Sequence, residues 1–180
     1  MRTRWFAQYL SAFVRRADLV KIACIAQIVN VIAPVMTKPD GLVLQTIYYP
    51  FLLFSKYIVP GSRARALAIE SPTYKAGPRG EVPALDVSAT FDPATGNLAI
   101  FCVNRSDAEL TTTIELSDRV VTSVLEAAQL AGDDLKAGNT FAEPNRITPT
   151  PGNAALKGHA VSLTLPPTSF AAFHLATKGR

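Results

Sequence analysis

Two cysteines, two histidines, two methionines and one tryptophan leave this chain of 180 residues poor in the side chains most active sites are built from. Cys24 and Cys102 have no C-x-x-C spacing, which excludes a dithiol redox motif, and both sit in apolar runs that read as free buried thiols of a reducing compartment. His159 and His174 are each isolated, too few nitrogen and sulfur ligands for a zinc site. No G-x-G-x-x-G or P-loop is present to cradle a nucleotide's phosphates. A triad drawn from Ser169, His174 and an aspartate would lack the G-x-S-x-G elbow. Clustered charge is missing too: 18 Lys and Arg against 14 Asp and Glu give +4, but the basic residues are scattered apart from Arg2 and Arg4, Arg15 and Arg16, and Arg63 and Arg65. Without a basic patch interleaved with stacking aromatics, nucleic acid is not a partner. Length excludes a complete (β/α)8 barrel, which needs about 250 residues.

Two apolar stretches raise the question of a membrane. Residues 19–36 and 42–60 are long enough for a helical hairpin. The first, however, contains Lys21, Gln27, Asn30 and Pro34, and the second Gln45 and Lys56. A charge near a helix centre costs about 2.5 to 3.5 kcal/mol on insertion, so buried soluble elements are the reading and no membrane partner is expected. The N-terminal MRTRWFAQYLSAFV imitates a signal peptide, but Gln8 and Ser11 interrupt it and no small-x-small site precedes Arg15 and Arg16.

What is present falls into two grammars. Residues 17–51 read as a helix with a wide apolar face from Leu19 to Val31, then the β-branched VIAPVM as a parallel strand covered on both sides. The breaker cluster Lys38, Pro39, Asp40 and Gly41 follows, and Gln45 stands at the head of a second helix over residues 46–57. From Pro60 the pattern becomes β. Runs at 64–69, 85–91, 98–103, 110–116, 120–130, 161–165 and 170–175 alternate between turn signals, as in an antiparallel sandwich. Residues 92–97 read as a hairpin turn. In LTTTIEL, Leu110, Thr112, Ile114 and Leu116 face one way while Thr111, Thr113 and Glu115 face solvent. Residues 133–153, rich in Gly, Asn and Pro, read as a long ordered loop. The organisation expected is therefore residues 1–59 and residues 60–180. The first part should expose apolar faces, so a polypeptide starting near Pro60 is expected to be the more soluble.

The segments ADLVKIACIAQIVNVIAPVMT, QTIYYPFLLFSKY, LAIFCVNRS and LPPTSF resemble the C-terminal portion of the α-L-arabinofuranosidases of glycoside hydrolase family 51. The resemblance implies that residues 1–59 are the final helix-strand-helix of a TIM barrel, with MRTRWF opening the helix before it. Residues 60–180 would be an all-β, jelly-roll-like antiparallel sandwich. It implies hydrolysis of terminal non-reducing arabinofuranosyl groups with retention, as part of L-arabinose metabolism. The two glutamates responsible belong to barrel strands upstream of this chain, so the chain alone is expected to be inactive. The implied partners are an arabinofuranosyl-containing saccharide and the missing N-terminal barrel portion, in a cytoplasmic homo-oligomer. No cofactor, metal or organic, is implied. The family's sandwich also receives strands from the N-terminal end of the protein, which implies an unpaired sheet edge here.

Retaining glycoside hydrolysis needs two carboxyl groups about 5 to 5.5 Å apart. The first 59 residues offer only Asp18 and Asp40, the latter a solvated loop residue on the side where barrel loops build sites. Asp133 and Asp134 are adjacent and cannot converge on one bond, and the other acids fall in turns or on polar faces. Gln45 has two readings. A glutamine before a helix can bond local backbone; an amide can also donate to and accept from sugar hydroxyls, and the family's sugar-contacting glutamine matches this position. Tyr48 and Tyr49 read as core aromatics, and Asn104-Arg105-Ser106 as a strand-end turn that matches a glycosylation sequon by pattern only. The alternatives are a membrane-anchored sandwich and a stand-alone β-sandwich binding module. The latter needs a row of exposed aromatics, and Trp5 lies outside the sandwich.

Overall fold

The computed structural model describes residues 2–132, 134 and 136–180. Its elements are α1 (Arg2–Arg15), β1 (Val35–Lys38), β2 (Gly41–Leu44), α2 (Tyr48–Tyr57), β3 (Arg63–Ala64), β4 (Thr73–Lys75), β5 (Glu81–Pro83), β6 (Leu85–Phe91), β7 (Asn97–Asn104), β8 (Leu110–Ile114), β9 (Arg119–Leu130), β10 (Thr150–Pro151), β11 (Asn153–Lys157), β12 (Ala160–Leu165) and β13 (Phe170–Gly179). A six-stranded antiparallel sheet in the order β10-β9-β13-β7-β6-β3 is the middle layer, and a three-stranded sheet, β11-β12-β8, covers one of its faces. The two helices cover the other face.

This layering explains why β7 reads LAIFCV without a polar break. Leu98, Ile100 and Cys102 point into the core between the sheets, with Leu163, Leu165 and Phe173. Ala99, Phe101 and Val103 point into the core under the helices, with Leu53, Phe54 and Phe170. A strand buried on both faces has no solvent side to keep polar. Phe54 of α2 stacks on Phe101 with ring centroids 3.8 Å apart and an interplanar angle of 11°. The turn at 92–97 forms as its sequence suggests: Asp92 Oδ1 accepts the Ala94 N–H at 2.9 Å, Thr95 Oγ1 donates to Asp92 Oδ2 at 2.6 Å, and Gly96 takes φ +76°. Those bonds hold the Asp92 carboxyl below the usual carboxylate range.

α1 meets the sheet through polar as well as apolar contacts. Its Arg4, Gln8, Ser11 and Arg15 recur at helical spacing on one face. Arg15 donates to Asp86 Oδ1 at 2.5 Å, and Arg105 donates to Asp86 Oδ2 at 2.8 Å and to Gln8 Oε1 at 2.9 Å. Ser88 and Ser11 are bonded at 3.0 Å with both side chains fully buried. Asp86, expected on a polar face or turn, is therefore a buried carboxylate held by two guanidinium groups, the arrangement that makes burial of a charge tolerable.

Three expectations need correction. Residues 17–34 are not a helix: after a turn they run irregularly, with Gln27, Asn30 and Val31 at φ of 58°, 63° and 56°. Val and Ile stiffen against the preceding helical turn, and Leu19, Ile22, Ile28, Val31 and Ile32 are exposed, so burial does not offset that penalty. Asn30 provides a competing local structure, its Oδ1 accepting the Thr37 N–H at 2.7 Å. Next, VIAPVM is not a parallel strand covered on both sides. Only Val35 and Met36 of it are in β1, which pairs antiparallel with β2 around the two-residue turn Pro39-Asp40. Finally, the thiol of Cys24 is exposed rather than buried. The first part of the chain is thus helix, hairpin, helix, where helix-strand-helix was expected, and among the described residues no helix is long and apolar enough to cross a membrane.

In the β region six of the seven expected runs are strands over nearly their full length. The seventh, 64–69, leaves the ladder after the Arg65 N–H bond to Ala89 O, and residues 65–70 are exposed and lack regular structure. The alternation expected for β8 is present, with Thr111, Thr113 and Glu115 exposed. Residue 134 and residues 136–149 of the expected loop lack regular structure, but β10 and β11, rich in Pro, Gly and Asn at their start, were not anticipated, nor was the small β4-β5 pair.

Candidate functional site

The candidate site lies at the junction of the β1-β2 hairpin and α2. Gln45 follows β2 directly, and its backbone is tied on every side. Its N–H donates to Pro34 O at 2.8 Å and its carbonyl accepts the Tyr48 N–H at 2.9 Å, closing the first turn of α2. Pro50 sits in that first turn, where a missing N–H costs nothing. The neighbouring carbonyls are held by side chains: Leu44 O accepts Asn139 Nδ2 at 2.9 Å, and Thr46 O accepts Thr3 Oγ1 at 3.3 Å. The half-buried Gln45 amide has no hydrogen-bond partner among the described residues. Its donors and acceptor are therefore available to an external group.

The remaining candidates separate rather than converge. Asp40 stands in the hairpin turn, largely exposed and 3.4 Å from Lys38 Nζ. Asp18 pairs with Arg16 at the exposed end of α1. Asp133 lies outside the described residues; Asp134 Oδ1 accepts the Lys136 N–H at 2.7 Å, a local turn. Ser169 immediately precedes β13, which carries His174, and the Ser169 hydroxyl is committed to Pro166 O at 2.7 Å. His174 stacks on Tyr57 with centroids 5.1 Å apart, and burial lowers its pKa against the opposing pull of Glu126. Burial likewise pushes the Cys102 thiol up to about 12, which makes it inert. Tyr49 is buried and meets Tyr48 edge-on, a packing role. Asn104 is fully buried, its amide spent on the carbonyls of Ala108, Leu165 and Pro166, so in the folded chain the sequon is a strand-end turn.

Two features escaped the sequence. Asn139, which binds the loop to Leu44, follows Gly138 in a stretch that carries no signal beyond turn composition. The alternation of LDVSATF could have revealed Asp86, since Asp86, Ser88 and Thr90 share the face opposite Leu85, Val87 and Ala89. A groove of about 500 Å³ runs between residues 65–70 and β8, over Leu98 and Ile100. Among the described strands β8 pairs with β12 alone, so one of its edges is free along this groove.

Residues 5–169 match the family described as the α-L-arabinofuranosidase C-terminal domain. The intracellular exo-α-(1→5)-L-arabinofuranosidase of Streptomyces lividans is 39% identical over 170 residues, 92% of this chain and 25% of that protein. The exo-α-(1→6)-L-arabinofuranosidase of Bifidobacterium longum is 37% identical over 176 residues, 94% of this chain and 33% of that protein. A solved family 51 α-L-arabinofuranosidase from Bifidobacterium longum superposes with a TM-score of 0.87 at 31% identity, over 96% of this chain and 34% of that one. The chain thus spans about a quarter to a third of the length of these relatives. It belongs to the α-L-arabinofuranosidase C-terminal domain family and corresponds to the C-terminal portion of glycoside hydrolase family 51 enzymes.

Proposed function

We propose that this chain forms the C-terminal part of a retaining α-L-arabinofuranosidase that removes terminal non-reducing arabinofuranosyl groups from arabinose-containing saccharides, and that Gln45 hydrogen-bonds the sugar. The observation that carries the reading is the Gln45 amide: fixed at its backbone and without a side-chain partner among the described residues, in a chain that matches the family from residue 5 to 169. In such an enzyme one glutamate attacks the anomeric carbon while the other protonates the leaving oxygen, and water then releases the sugar. Neither role falls to Asp18 or Asp40, each paired with its own surface cation. The catalytic pair belongs to the portion these 180 residues do not span.

Within the proposal, residues 1–59 close a (β/α)8 barrel and residues 60–180 are its companion sandwich. The exposed Leu19, Ile22, Ile28 and Ile32 support this, since such a patch fits neighbouring barrel elements. The free edge of β8 and its groove have the form of a berth for a strand from the rest of the enzyme. A cytoplasmic location and homo-oligomeric assembly belong to the same reading; the Streptomyces relative is named intracellular. A stand-alone binding module is not favoured: Phe141 is the sole strongly exposed aromatic after residue 59 among those described.

The test is turnover of an aryl α-L-arabinofuranoside. The chain by itself should release none, and turnover abolished by Asp40→Ala would overturn the reading. Joined to a catalytic portion carrying both glutamates, the assembled enzyme should lose roughly ten- to a thousandfold in kcat/KM on Gln45→Ala, about 1.4 to 4 kcal/mol, with little change in Tm. A lowered Tm with normal kinetics would make Gln45 a structural cap.

A further inference from the structure

We infer that Asn139, in the long loop of the sandwich, is the positioning residue for Gln45. The inference rests on the sugar-binding reading of Gln45 for its consequence, but the geometry stands apart from that reading. One side-chain amide performs two tasks. Across the loop, Asn139 Oδ1 accepts the Ile147 N–H at 2.8 Å and Nδ2 donates to Ile147 O at 2.9 Å, imitating a backbone pair. The second N–H of Nδ2 reaches Leu44 O at 2.9 Å, the carbonyl of the peptide bond that leads into Gln45. The loop is a firm anchor rather than a loose strap, because Ala137 and Ile147 are buried in the core beneath the helices.

A second contact fixes the far end of the hairpin. Lys38 Nζ lies 5.2 Å from the centroid of the Phe141 ring, and the Phe141 ring also borders Gly41. The loop therefore runs along β2 and touches it near both ends, two residues apart in the loop and three in the strand. Three residues, 45–47, separate β2 from α2. With Leu44 O held by Asn139 and Thr46 O by Thr3, the peptide unit leading into Gln45 and the one that follows Thr46 are pinned from different parts of the chain. A side chain that must meet a sugar within a fraction of an ångström needs such support from residues that never touch the ligand.

Two variants divide the tasks of the amide. Asn139→Ala removes both; Asn139→Asp keeps the acceptor for Ile147 N–H and sets a carboxylate against the carbonyls of Leu44 and Ile147. In the full chain, amide hydrogen exchange at Gln45 and Tyr48 should quicken roughly tenfold or more in both variants, while the amides of β7 and β13 stay protected. In Asn139→Asp the Ile147 amide should remain protected. Unchanged exchange at Gln45 in both variants overturns the inference. In the enzyme assembled with its catalytic portion, Asn139→Ala should lower kcat/KM roughly three- to thirtyfold in the wild-type background and have little effect in a Gln45→Ala background. An additive double mutant would show that Asn139 does not act through Gln45 and overturn the inference as well. If Gln45→Ala alone leaves kcat/KM unchanged, the sugar-binding reading fails, and the exchange result still decides whether Asn139 holds Gln45 in place.

Discussion

Residues 60–180 and residues 1–59 obey the same chemistry with different results. In the first region the inward positions of β6, β7, β12 and β13 are buried almost without exception. The second carries eleven of the sixteen large apolar side chains exposed among the described residues, so its apolar pattern is only partly used within the chain. A strand finds its partners in the same sheet, and its pattern predicts its structure. An apolar segment such as 17–34 requires a surface to lie on, and where none is supplied the local preferences of Asn30 and the β-branched residues prevail.

The sharpest break in this comparison comes from separating the two regions. Phe101 and Phe170 are fully buried, and α2 lies on them through Phe54. A polypeptide of residues 60–180 should therefore bind a hydrophobic dye and lose a cooperative melt, the opposite of the solubility expected from sequence. If it melts as the full chain does, the regions are independent. The thiols give the next largest contrast. Cys24 should react with a thiol reagent at once, and Cys102 only through unfolding, at least a thousandfold more slowly given ordinary domain stability. Equal rates would show the β7 core to be open.

Within α2, Phe54→Ala should cost about 3 to 5 kcal/mol in denaturant unfolding, as should Phe173→Ala between the sheets. Leu52→Ala, on the exposed side of the same helix, should cost under about 0.5 kcal/mol. A mild Phe54→Ala would mean that the helices do not share the sandwich's cooperative unit. The smallest effect is one of pH. His174 faces Tyr57 and Lys56 of α2, Glu126 of β9 and Asp92 of the β6-β7 turn, and its folded pKa is lowered, chiefly by burial. The unfolded chain then takes up the proton first, so Tm should fall as pH drops through about 6.5 towards the lowered folded value. His174→Gln should flatten that slope between pH 7.5 and 5.5; an unchanged slope would assign it to another group.

What was legible follows from where each signal is stored. Alternation stored β6, β8 and β12 in the residues themselves, short apolar runs between turn signals stored β7 and β13, and the Asp92–Asn97 turn was written in its Asp and Gly. The strand β11 was hidden because an edge strand buries little and its lead-in, Thr150-Pro151-Gly152, reads as a loop. The position of Gln45 was legible at the head of α2, but the tether from Asn139 spans 95 residues and has no local signature. Asp86 shows the intermediate case, a polar residue whose strand face was readable but whose partner on that face, Arg15 of α1, was not.

The polar row between α1 and β6 has one further consequence. An apolar helix face tolerates rotation, because oily contacts are interchangeable; a row of matched donors and acceptors has one azimuth. Turning α1 by one residue, about 100°, would leave the buried Asp86 without Arg15 and the buried Ser88 without Ser11, and each orphaned buried group costs about 1 to 3 kcal/mol. The helix is thus keyed to the sheet like a shaft in a slot, and any segment continuing from its N-terminal end inherits a direction set by the sandwich.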